Sequence, residues 1–326
     1  MKLHLINKLL IFFSSLIVTL IIGEICARVT YPFYKNYQSE FWRYGRDLKI
    51  RSADEDIGHE HIPSKSGVYY GANILINHEG FRVNAAYSAS ERENGNKKKI
   101  LVIGDSLALG WGINFKKTYC YKLEHFFKQK GLNLQVLDAG VGNYGIRNKY
   151  GLLKKLLSEI KPDLVIFEFH INDIEIINYP SWFHLFLMNN SYLYSQLRRQ
   201  FLNFSKGQNY LEYFNMKYRS ESFVEFKNYL DKILELHAKY KKIPIVFFNI
   251  PELHQLDPYP FDSINKKIKN LLPSDVYYLD ALPSLKTYSP NLLWLDSEDI
   301  HPNEKGHDLL FSVLVDFINK NNLIRN

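Results

Sequence analysis

The chain has 326 residues, which is enough for one large α/β domain with additional segments. Hydrophobic residues make up 46% and aromatic residues 15% of the sequence, and this excludes an intrinsically disordered protein. The net charge is +7, but the lysine clusters are short and scattered, which argues against a nucleic-acid partner. The two cysteines, Cys26 and Cys120, exclude a disulfide framework and a zinc site.

An apolar run over residues 9–23 marks the N-terminus. Lysines precede it, and Glu24 and Arg28 close it. The uncharged core is shorter than the ~20 residues of an ideal membrane span, so a cleaved signal peptide is the alternative. No small-x-small cleavage site follows, and this favours an uncleaved membrane anchor over residues 1–29. The lysines before the run predict that the rest of the chain lies outside the cytoplasm.

Residues 30–97 are polar and aromatic, without a long periodic segment. The segments 67–71 and 73–77 predict a small hairpin, and 88–98 has the polar, charged composition of a linker. We interpret residues 30–97 as a stem that packs on the main domain, which we place at residues 98–326.

Strands and helices alternate from Lys99 onward. Strands are predicted over 99–103, 134–138, 164–169, 243–250 and 276–279. Helices are predicted over 119–129 and 147–160, from a capping box at Ser222, and after Pro302. This alternation predicts a parallel sheet with helices on both faces and right-handed crossovers.

An insertion over residues 174–220 interrupts the alternation and is crowded with aromatic side chains. Two interpretations are open for it. Its helices either complete the core or form a lid or acyl-chain pocket.

The sequence also contains the parts of a nucleophilic triad. A predicted strand ends abruptly in Gly104-Asp105-Ser106, which presents one hydroxyl. A serine hydroxyl needs a base at hydrogen-bond distance, and His301 has carboxylates two and three residues before it. In parallel sheets ligands bind at the carboxyl ends of the strands, where Ser106 and His301 are both expected.

At these residues the chain resembles the SGNH, or GDSL, hydrolase superfamily. Gly104-Asp105-Ser106-Leu107 matches its first block, and His301-Pro302-Asn303 matches its last. The likeness covers residues 99–318. It implies a three-layer, doubly wound (flavodoxin-like) sheet and a serine hydrolase that needs no metal and no organic cofactor.

The acid of the triad is open at this stage. The resemblance expects an aspartate three residues before the histidine, where this chain has Glu298. Asp299 stands one residue closer, in the Asp-x-His arrangement of some membrane-anchored relatives, and Asp296 is a more distant option. Spacing favours Glu298 and residue type favours Asp299. We favour Asp299.

The resemblance also implies three oxyanion-hole donors. They are the Ser106 backbone N–H, a backbone N–H that falls on Asn143, and the side-chain amide of Asn172. The family usually has glycine where Asn143 stands, but asparagine tolerates a positive φ better than other residues, and Gly142 is the alternative. The family often has glycine at the position of His170 as well.

The sequence therefore predicts a membrane-anchored, extracytoplasmic serine esterase that acts on an ester or O-acylated small molecule or glycan, such as acetyl groups of an envelope glycan. An O-acyltransferase, a lipase or a thioesterase would use the same acyl-enzyme. A degenerate polysaccharide-binding module is the alternative from another class. The sequence does not predict the oligomeric state.

Overall fold

The computed structural model describes residues 2–33, 36–84, 97–176, 181–198 and 210–324. Within them the strands are β1 (Lys49–Arg51), β2 (His59–His61), β3 (Ser66–Tyr69), β4 (Ala72–Ile76), β5 (Arg82–Val83), β6 (Lys98–Gly104), β7 (Leu134–Gly140), β8 (Leu164–Phe169), β9 (Ile245–Asn249), β10 (Tyr277–Asp280), β11 (Trp294–Asp296) and β12 (Asp299–Pro302). The helices of at least eight residues are α1 (Lys2–Thr30), α2 (Tyr37–Leu48), α3 (Tyr119–Gln129), α4 (Ile146–Ile160), α5 (Trp182–Asn190), α6 (Tyr210–Lys217), α7 (Glu221–Lys239), α8 (Asp262–Lys269) and α9 (Glu304–Lys320). Shorter helices include Ser106–Leu109.

The central sheet has eight strands in the order β10-β9-β8-β6-β7-β5-β4-β3. Strands β6 to β10 pair in parallel, and their spatial order, with the second strand of the domain beside the first and the third on its other side, is the flavodoxin-like order. The predicted doubly wound α/β fold is confirmed. The order reverses between β6 and β8, so a ligand crevice is expected beyond the carboxyl ends of these two strands.

Each face of the sheet carries its own hydrophobic core, because successive side chains of a strand point to opposite faces. Leu101 faces one core, where α4 and α7 pack with side chains such as Leu153 and Phe226. Val102 faces the other core, where α3 and α9 pack. Each fully buried leucine or phenylalanine contributes about 1.5–3 kcal/mol, so the two cores fix the strand ends that carry the site.

Two predicted helix starts are displaced. Ser220, not Ser222, caps α7, because its side chain accepts the Ser222 N–H at 3.3 Å. The predicted capping box at Ser222 is therefore wrong. Asn303 caps α9 by accepting the Gly306 N–H at 3.0 Å, so Pro302 precedes the helix and belongs to β12.

The stem joins the central sheet. The predicted hairpin is formed by β3 and β4, and β5 continues it antiparallel to β7. Arg82 of β5 is buried and donates to the carbonyls of Gly110 and Ile113, each at 2.7 Å, in the loop that follows the first strand of the domain. The prediction that the stem contains no long periodic segment is wrong, because α2 has twelve residues. The domain boundary at residue 98 stays a prediction.

The N-terminal helix is long and apolar enough to cross a membrane. Within Leu5–Thr30, an 18-residue stretch has a mean hydropathy of 2.4 and no buried residue, as expected of a candidate membrane span or signal sequence. The insertion over 174–220 divides into two parts. Phe214 of α6 and the neighbouring Tyr218 enter the core, whereas α5 has no buried residue. Tyr179, Phe201 and Phe204 of this segment lie outside the described residues.

Candidate active site

Ser106 stands at the tip of a buried strand. Strand β6 is buried up to Gly104, and Asp105 then caps the short helix Ser106–Leu109 by accepting the Leu107 N–H at 2.8 Å. A Cβ at Gly104 would lie 2.5 Å from the Ala108 Cβ, so only glycine permits this tight entry. The turn leaves the Ser106 side chain at the edge of the sheet, and its N–H is the first of the helix, without a preceding helical carbonyl as acceptor.

His301 lies beside this hydroxyl. It belongs to β12, and its Nε2 is 2.8 Å from Ser106 Oγ. Its Nδ1 is 2.5 Å from Oδ1 of Asp299, whose side chain is fully buried. The imidazole side chain is 14% exposed, which leaves an opening toward Ser106. The three side chains form a continuous hydrogen-bonded chain from carboxylate to hydroxyl, the arrangement that activates a serine nucleophile.

The carboxylate of Asp299 is held on both oxygens. Its Oδ1 also accepts the backbone N–H of His301 at 3.1 Å, and its Oδ2 accepts the Trp111 indole N–H at 2.8 Å. The Glu298 side chain is exposed instead. Asp296 turns away from the imidazole and accepts the backbone N–H groups of residues 298 and 299, at 2.8 and 3.0 Å. Of the three carboxylates, the structure brings only Asp299 to His301.

The loop after β7 has the conformation expected for a donor. Asn143 has a φ of +65°, and its N–H makes no hydrogen bond within the part of the chain that the structure describes. The alternative donor is occupied, because the Gly142 N–H donates to Tyr44 Oη at 3.0 Å. The Gly142 carbonyl lies 2.9 Å from Lys49 Nζ and 3.2 Å from His59 Nε2. Since a trans peptide points its C=O and N–H in opposite directions, these contacts orient the Asn143 N–H.

Asn172 lies next to the nucleophile's turn. One N–H of its amide donates to Asp105 Oδ2 at 3.1 Å, which leaves the second amide hydrogen available. His170, two residues earlier, is buried and donates from Nδ1 to the Ile250 carbonyl at 2.9 Å. Burial lowers the pKa of His170, so the ring is neutral. Its hydrogen bond therefore holds the end of the strand in place and does not stabilise a charge.

A buried ionic cluster lies beneath Ser106. Lys149 is fully buried, with its Nζ 2.7 Å from Asp173 Oδ1 and 3.5 Å from Glu168 Oε1. Burial would raise the pKa of Asp105, but the Lys149 charge and the hydrogen bonds to this carboxylate lower it below its ordinary value. Burial raises the pKa of Asp173 to about 7 and that of Glu168 well above its ordinary value. The cluster keeps Asp105 ionised and therefore able to hold Asn172.

The stem supplies side chains that sequence reasoning missed. Tyr37 and Phe41 of α2 stand beside the His301 imidazole, with ring centroids 5.4 and 6.5 Å from that of His301. Burial lowers the pKa of Lys49, which follows α2, to about 7. The sequence contained a signal for α2, since Asn36 is a capping residue followed by aromatic residues at helical spacing.

The chain was compared with known proteins. The family model described as the GDSL-like lipase/acylhydrolase family matches residues 102–309, a segment that contains Ser106, Asn143, Asn172 and His301. The chain belongs to this family. It is a GDSL-type hydrolase of ester bonds, as predicted from the resemblance.

An arylesterase of Vibrio mimicus is one curated relative of this GDSL hydrolase. It is 31% identical over 93 residues, which are 28% of this chain and 43% of that protein. The alignment thus spans less than half the length of the relative.

Similar solved structures include TesA, with 14% identity, a TM-score of 0.48, and coverage of 70% of this chain and 100% of that one. A lipase from a goat rumen metagenome has 13% identity and a TM-score of 0.49, over 68% of this chain and 97% of that one. A variant of Axe2, an acetyl-xylooligosaccharide esterase from Geobacillus Stearmophilus, has 18% identity and a TM-score of 0.45, over 68% of this chain and 94% of that one.

Proposed function

We propose that Ser106, His301 and Asp299 form the catalytic triad through which this hydrolase cleaves acyl esters. The observation that carries the proposal is the pair of contacts made by His301, 2.8 Å to the Ser106 hydroxyl and 2.5 Å to the Asp299 carboxylate. A neutral imidazole held in this way accepts the hydroxyl proton at Nε2 and is stabilised as imidazolium by the carboxylate at Nδ1.

The reaction proceeds in two steps. Ser106 Oγ attacks the ester carbonyl carbon while His301 Nε2 takes the hydroxyl proton, and a tetrahedral oxyanion forms. Its collapse breaks the bond to the leaving alcohol, whose oxygen receives that proton from His301, and leaves an acyl-serine. Water then attacks the acyl-serine and gives a proton to His301. The carboxylic acid leaves, and His301 returns the proton to Ser106.

Three donors would stabilise the oxyanion, namely the N–H groups of Ser106 and Asn143 and the free amide hydrogen of Asn172. Each such donor is typically worth about 3 kcal/mol in the transition state. Support comes from the positive φ of Asn143 and from the engagement of the Gly142 N–H by Tyr44, which leaves Asn143 as the donor of that loop.

We propose an O-acylated glycan of the cell envelope, with acetyl as the acyl group, as the substrate class. Two features support this assignment. The N-terminal helix α1 is apolar enough to hold the enzyme at a membrane. The aromatic side chains Tyr37 and Phe41 beside the imidazole offer flat faces of the kind that pack against the apolar face of a sugar ring.

A fluorophosphonate probe tests the nucleophile in the detergent-solubilised full chain. We expect covalent labelling on the peptide that contains Ser106, and loss of both labelling and p-nitrophenyl acetate hydrolysis in Ser106→Ala. The alanine variant should melt at the same temperature as the parent, because the hydroxyl serves only chemistry. Undiminished hydrolysis by Ser106→Ala would refute the assignment. Acyl transfer to an added glycan in place of release to water would identify a transferase.

A further inference from the structure

Helix α5 presents an apolar surface that the rest of the protein leaves uncovered. Trp182, Phe183 and Phe186 are 76%, 54% and 58% exposed, and none of the residues of α5 is buried. The helix sequence, Trp-Phe-His-Leu-Phe-Leu-Met-Asn-Asn, contains no acidic residue, no lysine and no arginine. Soluble proteins rarely expose contiguous aromatic surface of this kind unless it binds something.

The surface is fastened to the end of α1. Glu24 of α1 accepts hydrogen bonds from the Ser191 hydroxyl at 2.7 Å and from the N–H groups of Tyr192 and Leu193 at 3.1 and 3.0 Å, just beyond α5. Arg28 donates to the Asn190 carbonyl at 2.6 Å and lies over the Tyr192 ring.

Helix α1 also lies close to the chain just after α5. A Cβ on Gly23 would lie 2.9 Å from Leu193 Cδ2, so glycine permits the contact between α1 and the chain after α5. The contact lies where the apolar run of α1 ends and the charged residues Glu24 and Arg28 follow. For a spanning helix, this change in polarity marks the boundary between hydrocarbon and headgroups.

We propose that α5 docks into the interfacial layer of the same bilayer that α1 spans. This inference rests on α1 being a retained anchor. A lipid surface is the occupant the observations favour, because the patch continues the lipid-facing surface of α1 and tryptophan prefers the headgroup level.

Docking would also set the position of the catalytic site. Trp42 of α2 donates to the Met188 carbonyl of α5 at 3.0 Å, so α2 rests on the docked helix. Tyr37, which packs on the His301 ring, follows Thr30 by seven residues. The helical rise from Glu24 to Thr30 is about 9 Å, and seven extended residues span at most about 25 Å. The His301 ring, whose centroid lies 5.4 Å from that of Tyr37, is therefore within roughly 40 Å of the boundary at Glu24. The substrate ester is then taken from within that distance of the membrane surface.

Tryptophan quenching in vesicles tests the proposal on the full-length chain. The enzyme is reconstituted into phosphatidylcholine vesicles whose acyl chains carry bromine, and emission is compared with that in unbrominated vesicles. Of the four tryptophans, Trp182 is the one on α5. We expect brominated lipid to quench a component of emission that disappears in Trp182→Phe, and aqueous iodide to leave that component unquenched.

The matched control is Trp294→Phe, which removes an indole that donates to the Leu253 carbonyl in the hydrolase domain. It should keep the lipid-quenched component of the parent. Quenching of the Trp182 component by iodide and not by lipid would overturn the proposal. The apolar surface of α5 would then face water or bind a protein partner. Recovery of the mature chain without α1 would overturn it as well. Hydrolysis of p-nitrophenyl acetate is measured in the same vesicles, so a failure of the proposed catalytic function is seen separately.

Discussion

Three hydrogen bonds converge on the Asp299 carboxylate, from the His301 ring, the His301 backbone and the Trp111 indole. Because both oxygens of this carboxylate are engaged, it fixes the imidazole tautomer that turns an unprotonated Nε2 toward the Ser106 hydroxyl. The longer Glu298 side chain points into solvent, although its spacing from His301 is the commoner one. The turn of the backbone at β12 decides that Asp299, and not Glu298, forms the hydrogen bond to the His301 ring.

We therefore expect Asp299→Asn to be the severely impaired variant and Glu298→Gln the mild one. Loss of the triad carboxylate typically lowers turnover about 10⁴-fold, because the imidazolium loses its counter-charge and the wrong tautomer is stabilised. Loss of an exposed carboxylate removes only a solvated charge and should cost little. Single-turnover acylation rates with p-nitrophenyl acetate measure the activity lost in each of the two variants.

The reverse order of the two rates would move the role to Glu298. Near-full activity in both variants would indicate Asp296 or a dyad without an acid. A circular dichroism spectrum of each variant controls for folding, since Asp299 is buried and Glu298 is not.

At the scale of elements, the stem completes the site. Helix α2 places aromatic rings beside His301. Lys49, the residue after α2, donates a hydrogen bond to the Gly142 carbonyl, which belongs to the same peptide as the Asn143 N–H. A donor for an oxyanion works only when it is fixed before the charge develops. The stem is thus part of the architecture of the proposed site.

Lys49→Met should lower kcat by up to about 100-fold with little change in KM, because an oxyanion donor acts in the transition state and not in substrate binding. The methionine fills similar space but cannot hold the Gly142 carbonyl. Steady-state kinetics on a soluble ester provide the measurement. The control is Lys155→Met, which removes an exposed lysine paired with Glu60. A rise in KM at constant kcat would contradict the positioning role.

Helix α1 should stay in the mature protein and hold it in the membrane after a high-salt wash. Its apolar length supports insertion, and Glu24 is tied to the chain after α5, so cleavage near this point would remove contacts of the folded protein. Peptide mapping of the purified chain should recover the segment that contains Lys8. A mature chain that begins near Ala27 or beyond would make the helix a signal peptide.

At the scale of the whole molecule, buried neutral histidines stabilise the packing within the stem and hold the last helix against α3. His61 contacts Tyr44 at 2.6 Å, and the Nδ1 of His307 accepts the Tyr119 N–H at 3.2 Å. Burial lowers the pKa of each of these two histidines to about 3. In the unfolded chain such rings have a pKa near 6.5. Between these values the unfolded state binds more protons, so stability falls as the pH drops.

The free energy of unfolding should therefore decrease between pH 6.5 and pH 4.5, by about 2 kcal/mol for each histidine over these two pH units. His307→Gln keeps an oxygen to accept the Tyr119 N–H and removes the titrating ring, so its loss on acidification should be smaller by about that amount. Urea unfolding of the detergent-solubilised chain at the two pH values measures it. His125→Gln, at an exposed ring, is the control, and equal acid losses in all three proteins would disprove the account.

Much of the domain follows from local pattern. The predicted strand over 164–169 and the predicted helix over 119–129 coincide with β8 and α3, because their apolar periodicity and the Thr118 cap act within the segment. Ser106 and His301, which the structure places 2.8 Å apart, could be predicted as site residues because glycine before the serine and carboxylates before the histidine are local features of the chain. These elements need no distant partner to be specified.

Only the tertiary structure decided the contacts between segments far apart in the chain. The choice between Asp299 and Glu298 depends on a hydrogen bond from Trp111, and the orientation of the Asn143 N–H depends on Lys49 from the stem. The stem's entry into the sheet beside β7 and the fastening of α5 to α1 are of the same kind. Such contacts form after the chain collapses, when buried polar groups must find partners wherever the fold brings them, and no spacing in the sequence encodes that choice.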